Sequence, residues 1–224
     1  MQRRKKGQKL VGAEIYICKE YPLAGGNWTR ANGPRYVFGE RNILKALQGL
    51  NHPNIIDYVD FFYEHNSQIA KLYTEYCRFG DLEQALQNRK GSSKLDTRES
   101  VLVLYQIACS LLYLHHGVYH TDDTLKVVSL PDAAQDGRTR DSWVKILHRD
   151  IKPANGKDHI RVKLGDFGIA KTEADDTATH IGTPDYYAPE QTWGFKGPGR
   201  RRTTFKSDVY ALGGKHVPIQ GLQT

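Results

Sequence analysis

The chain has 224 residues, of which 39% are hydrophobic and 25% charged, and it carries a formal net charge of +7. This composition excludes a disordered chain and supplies enough apolar residues for one sizeable core or two small lobes. The basic balance favours anionic partners without choosing among nucleotides, acidic peptides, nucleic acid and membranes. The three cysteines are scattered, which argues against a zinc site or disulfide framework and indicates an intracellular, cytoplasmic and/or nuclear location.

Neither a membrane nor a nucleic acid is an expected partner. The most apolar stretch, residues 101–114, is shorter than the roughly 20 apolar residues that span a bilayer. The basic N-terminus lacks the apolar run of a signal peptide. Two basic clusters, at 3–9 and 196–206, leave a nucleic-acid-binding module as a rival, but no recognised nucleic-acid motif accompanies them.

The first third of the chain mixes strands with one helix. Alternation and helical spacing predict a strand at 14–19, a helix at 36–50 and further strands at 55–63 and 69–77. Glu40 falls on the apolar stripe of the helix, where a carboxylate is costly without a cation. Lys19 is the lysine that faces the same way as apolar strand residues, although a surface lysine with a buried stem is the alternative.

The rest of the chain is mainly helix and loop. Asp81 is placed to cap a short helix, and a strong amphipathic helix is predicted at 98–115. A polar stretch at about 117–143 is longer than most connections and is either an insertion or disordered. Together the elements predict an α+β fold with two lobes.

Four motifs follow one another in the second half of the chain. They are HRDIKPAN at 148–155, DFG at 166–168, GTPDYYAPE at 182–190 and KSDVYALG at 206–213. In this order they resemble the catalytic domain of eukaryotic-type serine/threonine protein kinases, and the stretch around Lys19 is similar to the NIMA-related branch. The resemblance covers roughly residues 14–213 and implies transfer of the γ-phosphate of ATP to protein Ser or Thr hydroxyls.

The resemblance assigns roles at the centre of the cleft. Asp150 would orient the substrate hydroxyl, and Lys152 would place positive charge at the transferred phosphate. Asn155 and Asp166 would bind Mg²⁺, since hard oxygen donors suit that ion, whereas each residue taken alone is more typical of a turn. The remaining ATP-binding positions implied are Lys19 paired with Glu40, Thr74, Glu75 and Cys77.

The segment from Asp166 to Glu190 would be the activation segment. Arg149 precedes the catalytic aspartate, and such an arginine can pair with a phosphate on this segment. Thr177 and Thr179 are the candidate phosphate acceptors, and Thr183 lies in the motif that ends the segment.

The sequence also departs from the family pattern. No Gly-rich loop is recognisable before Lys19, so we expect the small lobe, 1–76, to lack its first strands. The large lobe, 77–213, is expected to be incomplete after the start of its central helix, where Asp208 would brace the catalytic loop. The predicted helix 98–115 would then have little to pack on, residues 214–224 form a non-matching tail, and a catalytically inactive kinase-like scaffold or fragment is the alternative function.

Overall fold

The structure is a computed structural model of the whole chain that describes most of its residues. The described residues are 15–24, 34–48, 52–89, 94–120, 127–129, 143–151, 161–172, 182–193 and 203–213. A three-stranded sheet and one helix form the first part of the fold, and four helices with short strands form the second. None of the helices in these ranges has the length and apolar character needed to cross a membrane.

The sheet consists of β1 (Tyr16–Pro22), β2 (Tyr58–Glu64) and β3 (Ile69–Glu75), in the antiparallel order β1-β3-β2. On the central strand, Ala70, Leu72 and Thr74 are buried while their neighbours are partly exposed. This alternation follows from the two-residue period of a strand with one face on the core. The outer strand β1 extends to Pro22, three residues beyond the predicted end.

Helix α1 (Pro34–Leu47) packs beside the sheet. Its buried residues are Val37, Glu40, Ile43, Leu44 and Leu47, which is the stripe expected from the sequence, and Glu40 is only 3% exposed. The helix begins two residues earlier than predicted, at a proline, because a proline at the first helical position loses no intrahelical hydrogen bond. It ends three residues earlier than predicted.

The short helix α2 (Leu82–Gln87) is capped by Asp81, whose side chain accepts a hydrogen bond from the Gln84 N–H at 2.8 Å. The predicted cap is therefore confirmed. The long helix α3 (Thr97–His116) starts at a capping box between Asp96 and Glu99 and ends at Gly117 in the left-handed conformation. Each end thus satisfies backbone groups that a helix leaves unpaired.

The expectation that α3 has little to pack on is wrong for one of its faces. Val103, Ile107, Leu111 and Leu114 are 0–4% exposed and belong to the main hydrophobic cluster, together with Leu44, Leu72, Val162 and Phe167. The opposite face leaves Val101, Leu102, Tyr105 and Leu112 exposed. The helix therefore gains its stability from this buried face, which packs into the main hydrophobic cluster.

The stretch expected to be a polar loop contains two short strands, β4 (Val118–His120) and β5 (Val127–Ser129), which pair antiparallel. Their valines explain this departure, because β-branched residues favour extended backbone. A second small pair joins β6 (Ile146–Leu147) to β7 (Lys171–Thr172). Strand β6 ends directly before His148, the first residue of the HRDIKPAN motif.

The remaining helices are α4 (Pro189–Trp193) and α5 (Phe205–Gly213). Two turns of 3-10 helix, Phe167–Ile169 and Pro184–Tyr186, lie before them. Helix α5 packs on α3 and buries Asp208 to 1% exposure. The α+β arrangement with a sheet-based smaller part and a helical larger part is the one predicted.

Candidate active site

Side chains predicted to bind ATP and Mg²⁺ meet around Lys19. The ammonium Nζ of Lys19 lies 2.8 Å from Glu40 Oε1 and 3.2 Å from Asp166 Oδ1. Burial by itself lowers the pKa of Lys19, but the charges and hydrogen bonds of Glu40 and Asp166 outweigh it and raise that pKa above its ordinary value. The lysine is therefore a permanent cation between two carboxylates from different elements.

A third group, which was not predicted from the sequence, completes the environment of Glu40. The hydroxyl of Tyr21 donates a hydrogen bond to Glu40 Oε2 at 2.8 Å. Tyr21 stands two residues after Lys19 on β1, so the strand period alone places both side chains on one face. This two-residue spacing is the sequence signal from which a shared contact of Lys19 and Tyr21 could have been predicted.

Asp166 opens the turn that contains Phe167 and Gly168. Its backbone is left-handed, with φ of 66°, and its carboxylate is about half exposed. Phe167 is fully buried and packs edge-on against the His148 ring at 4.8 Å between centroids. The turn therefore anchors its phenylalanine in the core while leaving the aspartate carboxylate accessible.

Asp208 holds the backbone of the HRDIKPAN motif at its first two residues. Its Oδ2 accepts a hydrogen bond from the His148 N–H at 2.9 Å, and its Oδ1 accepts one from the Arg149 N–H at 2.8 Å. His115 Nε2 lies 3.0 Å from the same Oδ2. The predicted bracing role of Asp208 is confirmed.

His148 is held as a neutral imidazole. Burial lowers its pKa, against the opposing effect of Asp208. Its Nε2 lies 3.0 Å from the Gly165 carbonyl oxygen, so Nε2 carries the proton, and its Nδ1 accepts a hydrogen bond from the Asp150 N–H at 3.3 Å. The histidine thus links the backbone of Asp150 to that of Gly165, the residue before Asp166.

Asp150 contacts the end of the predicted activation segment. Thr183 donates hydrogen bonds to Asp150 Oδ1 from its hydroxyl at 2.7 Å and from its backbone N–H at 3.2 Å. Gly182 has φ of 129°, and a Cβ added there would lie 2.5 Å from the Arg149 carbonyl oxygen. Glycine is therefore the residue that permits this close approach.

Two of the predicted ATP-binding residues, Thr74 and Glu75, lie at the end of β3, and Cys77 follows two residues later. Thr74 is buried opposite Ile17 of β1. The carboxylate of Glu75 lies 2.6 Å from Lys163 Nζ, which also contacts Asp57 at 3.2 Å. The thiol of Cys77 has a raised pKa, mainly because of burial, so it is not a reactive thiolate.

Glu190 also has a partner. Its Oε1 accepts a hydrogen bond from the Ser207 hydroxyl at 2.7 Å. Ser207 is the residue before Asp208 on α5, so one helix turn holds both the catalytic loop and the end of the activation segment. Lys152, Asn155, Thr177 and Thr179 lie outside the described residues.

Among the described residues, no group of three or more His, Cys, Asp or Glu side chains is arranged to hold a metal ion. The accessible carboxylate of Asp166 nevertheless has the donor chemistry of a Mg²⁺ ligand, and such sites use few protein oxygens together with phosphates and water. The residues present therefore fit a metal that is bound jointly with a nucleotide.

Comparison with known proteins identifies the relatives of this chain. A family model described as "Protein kinase domain" matches residues 6–126 and 143–216. The G2-specific protein kinase fin1 of Schizosaccharomyces pombe is 34% identical over 221 residues, which is 95% of this chain and 27% of that protein. Human serine/threonine-protein kinase Nek2 is 31% identical over 219 residues, which is 94% of this chain and 41% of that protein.

A second fungal relative gives the same result. The G2-specific protein kinase nimA of Emericella nidulans is 33% identical over 180 residues, covering 78% of this chain and 24% of that protein. These relatives confirm the resemblance predicted from the motifs. In each case the chain spans less than half of the curated relative that it matches.

Solved structures support the fold. A structure of the CAK complex from Chaetomium thermophilum bound to ATP-gamma-S has a TM-score of 0.55 at 23% identity, covering 88% of this chain and 50% of that one. The yeast RNA Pol II CTD kinase CTDK-1 complex has a TM-score of 0.56 at 19% identity, covering 89% of this chain and 52% of that one. The two-lobe fold class predicted from the sequence is confirmed.

Proposed function

Because this chain belongs to the protein kinase domain family, we propose that it transfers the γ-phosphate of Mg·ATP to Ser or Thr hydroxyls of a protein substrate. The observation that carries the proposal is the position of Lys19, with its ammonium between Glu40 and Asp166. Phosphoryl transfer needs positioned positive charge beside a metal-binding carboxylate, and this triad supplies both.

The triad defines the phosphate end of the nucleotide site. Lys19 would bind the α- and β-phosphates, and Glu40 would hold the lysine in place. Asp166, with Asn155 as the second ligand, would hold Mg²⁺, which neutralises charge on the phosphates when bound. At the other end of the site, the backbone at Glu75 and Cys77 would bind adenine beside the buried Thr74.

Asp150 would accept or orient the proton of the substrate hydroxyl. Its contact with Thr183 supports this role, because that contact joins the catalytic carboxylate to the segment next to which a peptide would lie. Lys152 would stabilise the charge on the transferred phosphate. Burial of the His148 ring and the bracing by Asp208 keep the Asp150 backbone in one position, which is the main contribution a protein makes to this reaction.

The activation segment is proposed to respond to phosphorylation. Arg149 is 5% exposed and its Nη1 lies 3.5 Å from the Ile169 carbonyl oxygen, next to the start of that segment. A phosphate on Thr177 or Thr179 would pair with this arginine. Replacing both threonines with Ala would then lower activity after autophosphorylation, whereas unchanged activity would contradict this part of the proposal.

The choice of Ser or Thr over Tyr as acceptor rests on Lys152 in the catalytic loop and on the similarity to human serine/threonine-protein kinase Nek2. A cytoplasmic or nuclear location is proposed from the scattered cysteines.

A phosphotransfer assay tests the proposal. The chain is incubated with Mg²⁺, labelled ATP and a generic Ser/Thr acceptor protein, beside the Asp150→Asn variant and the matched control Asp60→Asn, which changes an exposed aspartate on β2. We expect at least a hundredfold loss of label transfer for Asp150→Asn and none for the control. Binding of Mg·ATP without transfer would favour the kinase-like scaffold instead.

A further inference from the structure

Glu40 is held by two donors that come from one strand. Lys19 Nζ contacts its Oε1 and the Tyr21 hydroxyl contacts its Oε2, each at 2.8 Å. The carboxylate is 3% exposed, so water does not compete for these positions. A buried carboxylate with both oxygens bonded has one preferred orientation, whereas one bonded through a single oxygen can rotate.

The strand geometry explains why these two residues act together. In β1, Lys19 stands opposite Leu72 and Tyr21 opposite Ala70 of the central strand. Residues two apart on a strand point to the same face, and in β1 these two are the least exposed. Both side chains therefore reach across to α1 at the level of Glu40.

Packing holds the ring of Tyr21 in place independently of the hydrogen bond that its hydroxyl makes. The ring packs against the main hydrophobic cluster and also against the smaller cluster formed by Leu23, Val37 and Ala70. A ring held from both sides presents its hydroxyl at a defined place. Burial and the adjacent Glu40 raise the pKa of Tyr21 above its ordinary value, so the hydroxyl keeps its proton and remains a donor.

The oxygen that Tyr21 binds lies close to the metal-binding turn. A Cβ added to Gly168 would lie 3.5 Å from Glu40 Oε2. The tyrosine hydroxyl thus donates its hydrogen bond to Oε2, the carboxylate oxygen that faces this turn. The other oxygen, Oε1, accepts from the ammonium of Lys19. The same ammonium lies 3.2 Å from Asp166.

We propose that Tyr21 is a positioning residue, whose hydroxyl orients the Glu40 carboxylate and thereby holds Lys19 and helix α1 in the arrangement that binds nucleotide phosphates. The role of Lys19 in this statement rests on the proposed function. The hydrogen bond from Tyr21 to Glu40 and its effect on α1 do not depend on catalysis, and they can be measured on the chain without nucleotide.

The test compares Tyr21→Phe with Tyr63→Phe. Both substitutions remove one hydroxyl and keep the ring. The Tyr21 hydroxyl bonds to Glu40, whereas the Tyr63 ring contacts Phe38 and His65. Hydrogen exchange of backbone amides is followed in the nucleotide-free chain. Loss of a hydrogen bond to a buried charge predicts about tenfold faster exchange across α1 in Tyr21→Phe, with α3 unchanged and Tyr63→Phe like the parent chain.

A Glu40→Met background separates positioning from simple packing. Methionine keeps the length of the side chain but has no oxygen for the hydroxyl to bind, so Tyr21→Phe should add nothing to the exchange rate of α1 there. An equal acceleration in both backgrounds, or an equal effect of Tyr63→Phe, would overturn the proposal. So would an α1 exchange rate that Tyr21→Phe leaves unchanged.

Affinity for Mg·ADP provides the second measurement. We expect Tyr21→Phe to weaken binding about tenfold, and to change nothing further in the Glu40→Met background. A chain that binds no Mg·ADP at all would contradict the proposed function, while the exchange comparison would still decide the role of Tyr21.

Discussion

The carboxylate of Asp208 holds the backbone of Arg149, because its Oδ1 accepts a hydrogen bond from the Arg149 N–H at 2.8 Å. Arg149 has φ of 71°, a conformation that costs a non-glycine residue about 1–3 kcal/mol. The acceptor is 1% exposed and belongs to a helix 59 residues further along the chain. The shape of the catalytic loop therefore depends on helix α5.

Replacing Asp208 with Asn tests this dependence. The substitution places an NH₂ group where a carboxylate oxygen now accepts a backbone hydrogen bond, so one buried N–H loses its partner. We expect the free energy of unfolding to fall by about 3 kcal/mol, measured by urea denaturation. Asp60→Asn, at an exposed position, should change it by less than about 0.5 kcal/mol; equal midpoints for the two variants would contradict the bracing role.

His52 should make the stability depend on pH. Its pKa is lowered from 6.5 to about 4, mainly by burial, while its Nδ1 accepts a hydrogen bond from the Asn54 N–H at 3.1 Å. The unfolded chain binds a proton at this group at higher pH than the folded one. Its contribution is therefore fully present above pH 6.5 and is lost as the pH falls towards 4, by about 3 kcal/mol in all.

The measurement is urea denaturation at pH 7 and pH 4.5 for the parent chain and for His52→Gln. Glutamine has no titrating group, so the stability difference between the two proteins should shift by about 2–3 kcal/mol between these pH values. A difference that stays constant with pH would show that His52 is not the group responsible.

Gly182 should tolerate no side chain. Its φ of 129° is strained for other residues, and the Arg149 carbonyl oxygen lies 2.5 Å from the position of an added Cβ. Gly182→Ala should displace Thr183 from Asp150 and lower phosphoryl transfer at least tenfold, at a cost of about 1–3 kcal/mol in stability. Gly39→Ala is the control, since nothing lies within 4 Å of its added Cβ, and it should stabilise α1 by up to about 1 kcal/mol.

The ion pairs of Lys163 should contribute to stability in a salt-dependent way. Its side chain is 16% exposed and it contacts Glu75 and Asp57. Lys163→Met leaves two carboxylates side by side, and we expect a loss of about 1 kcal/mol in 50 mM salt and less in 500 mM salt. In the control Lys71→Met, the lysine Nζ lies 3.6 Å from Oε1 of Glu20, whose side chain is exposed, so the loss of stability should be smaller. An equal loss for both lysines would contradict this difference.

Much of this site could be predicted from the sequence, because its signals are local. Helical spacing placed Glu40 on a buried face, and motif order placed Asp150, Asp166 and Asp208 in one family pattern. The cap at Asp81 followed from its position before a short apolar helix. These features depend on neighbours within a few residues, or on a family pattern.

Other features required the tertiary structure. The hydroxyl of Tyr21 reaches Glu40, that of Thr183 reaches Asp150 and that of Ser207 reaches Glu190, across separations of 19, 33 and 17 residues. A hydroxyl can donate in any direction, so its residue type does not name its partner. The β4–β5 pair was missed for a related reason, since pairing of two very short strands depends on the path of the chain between them.

The sequence by itself determined the family, the fold class and the order of the four motifs, because periodicity and motif spacing are properties of the chain. Only the tertiary structure decided which hydroxyl groups contact the carboxylates of Glu40 and Asp150. Those contacts join a strand to a helix and a loop to a distant segment, and they exist only after the core around Leu72 and Phe167 has packed.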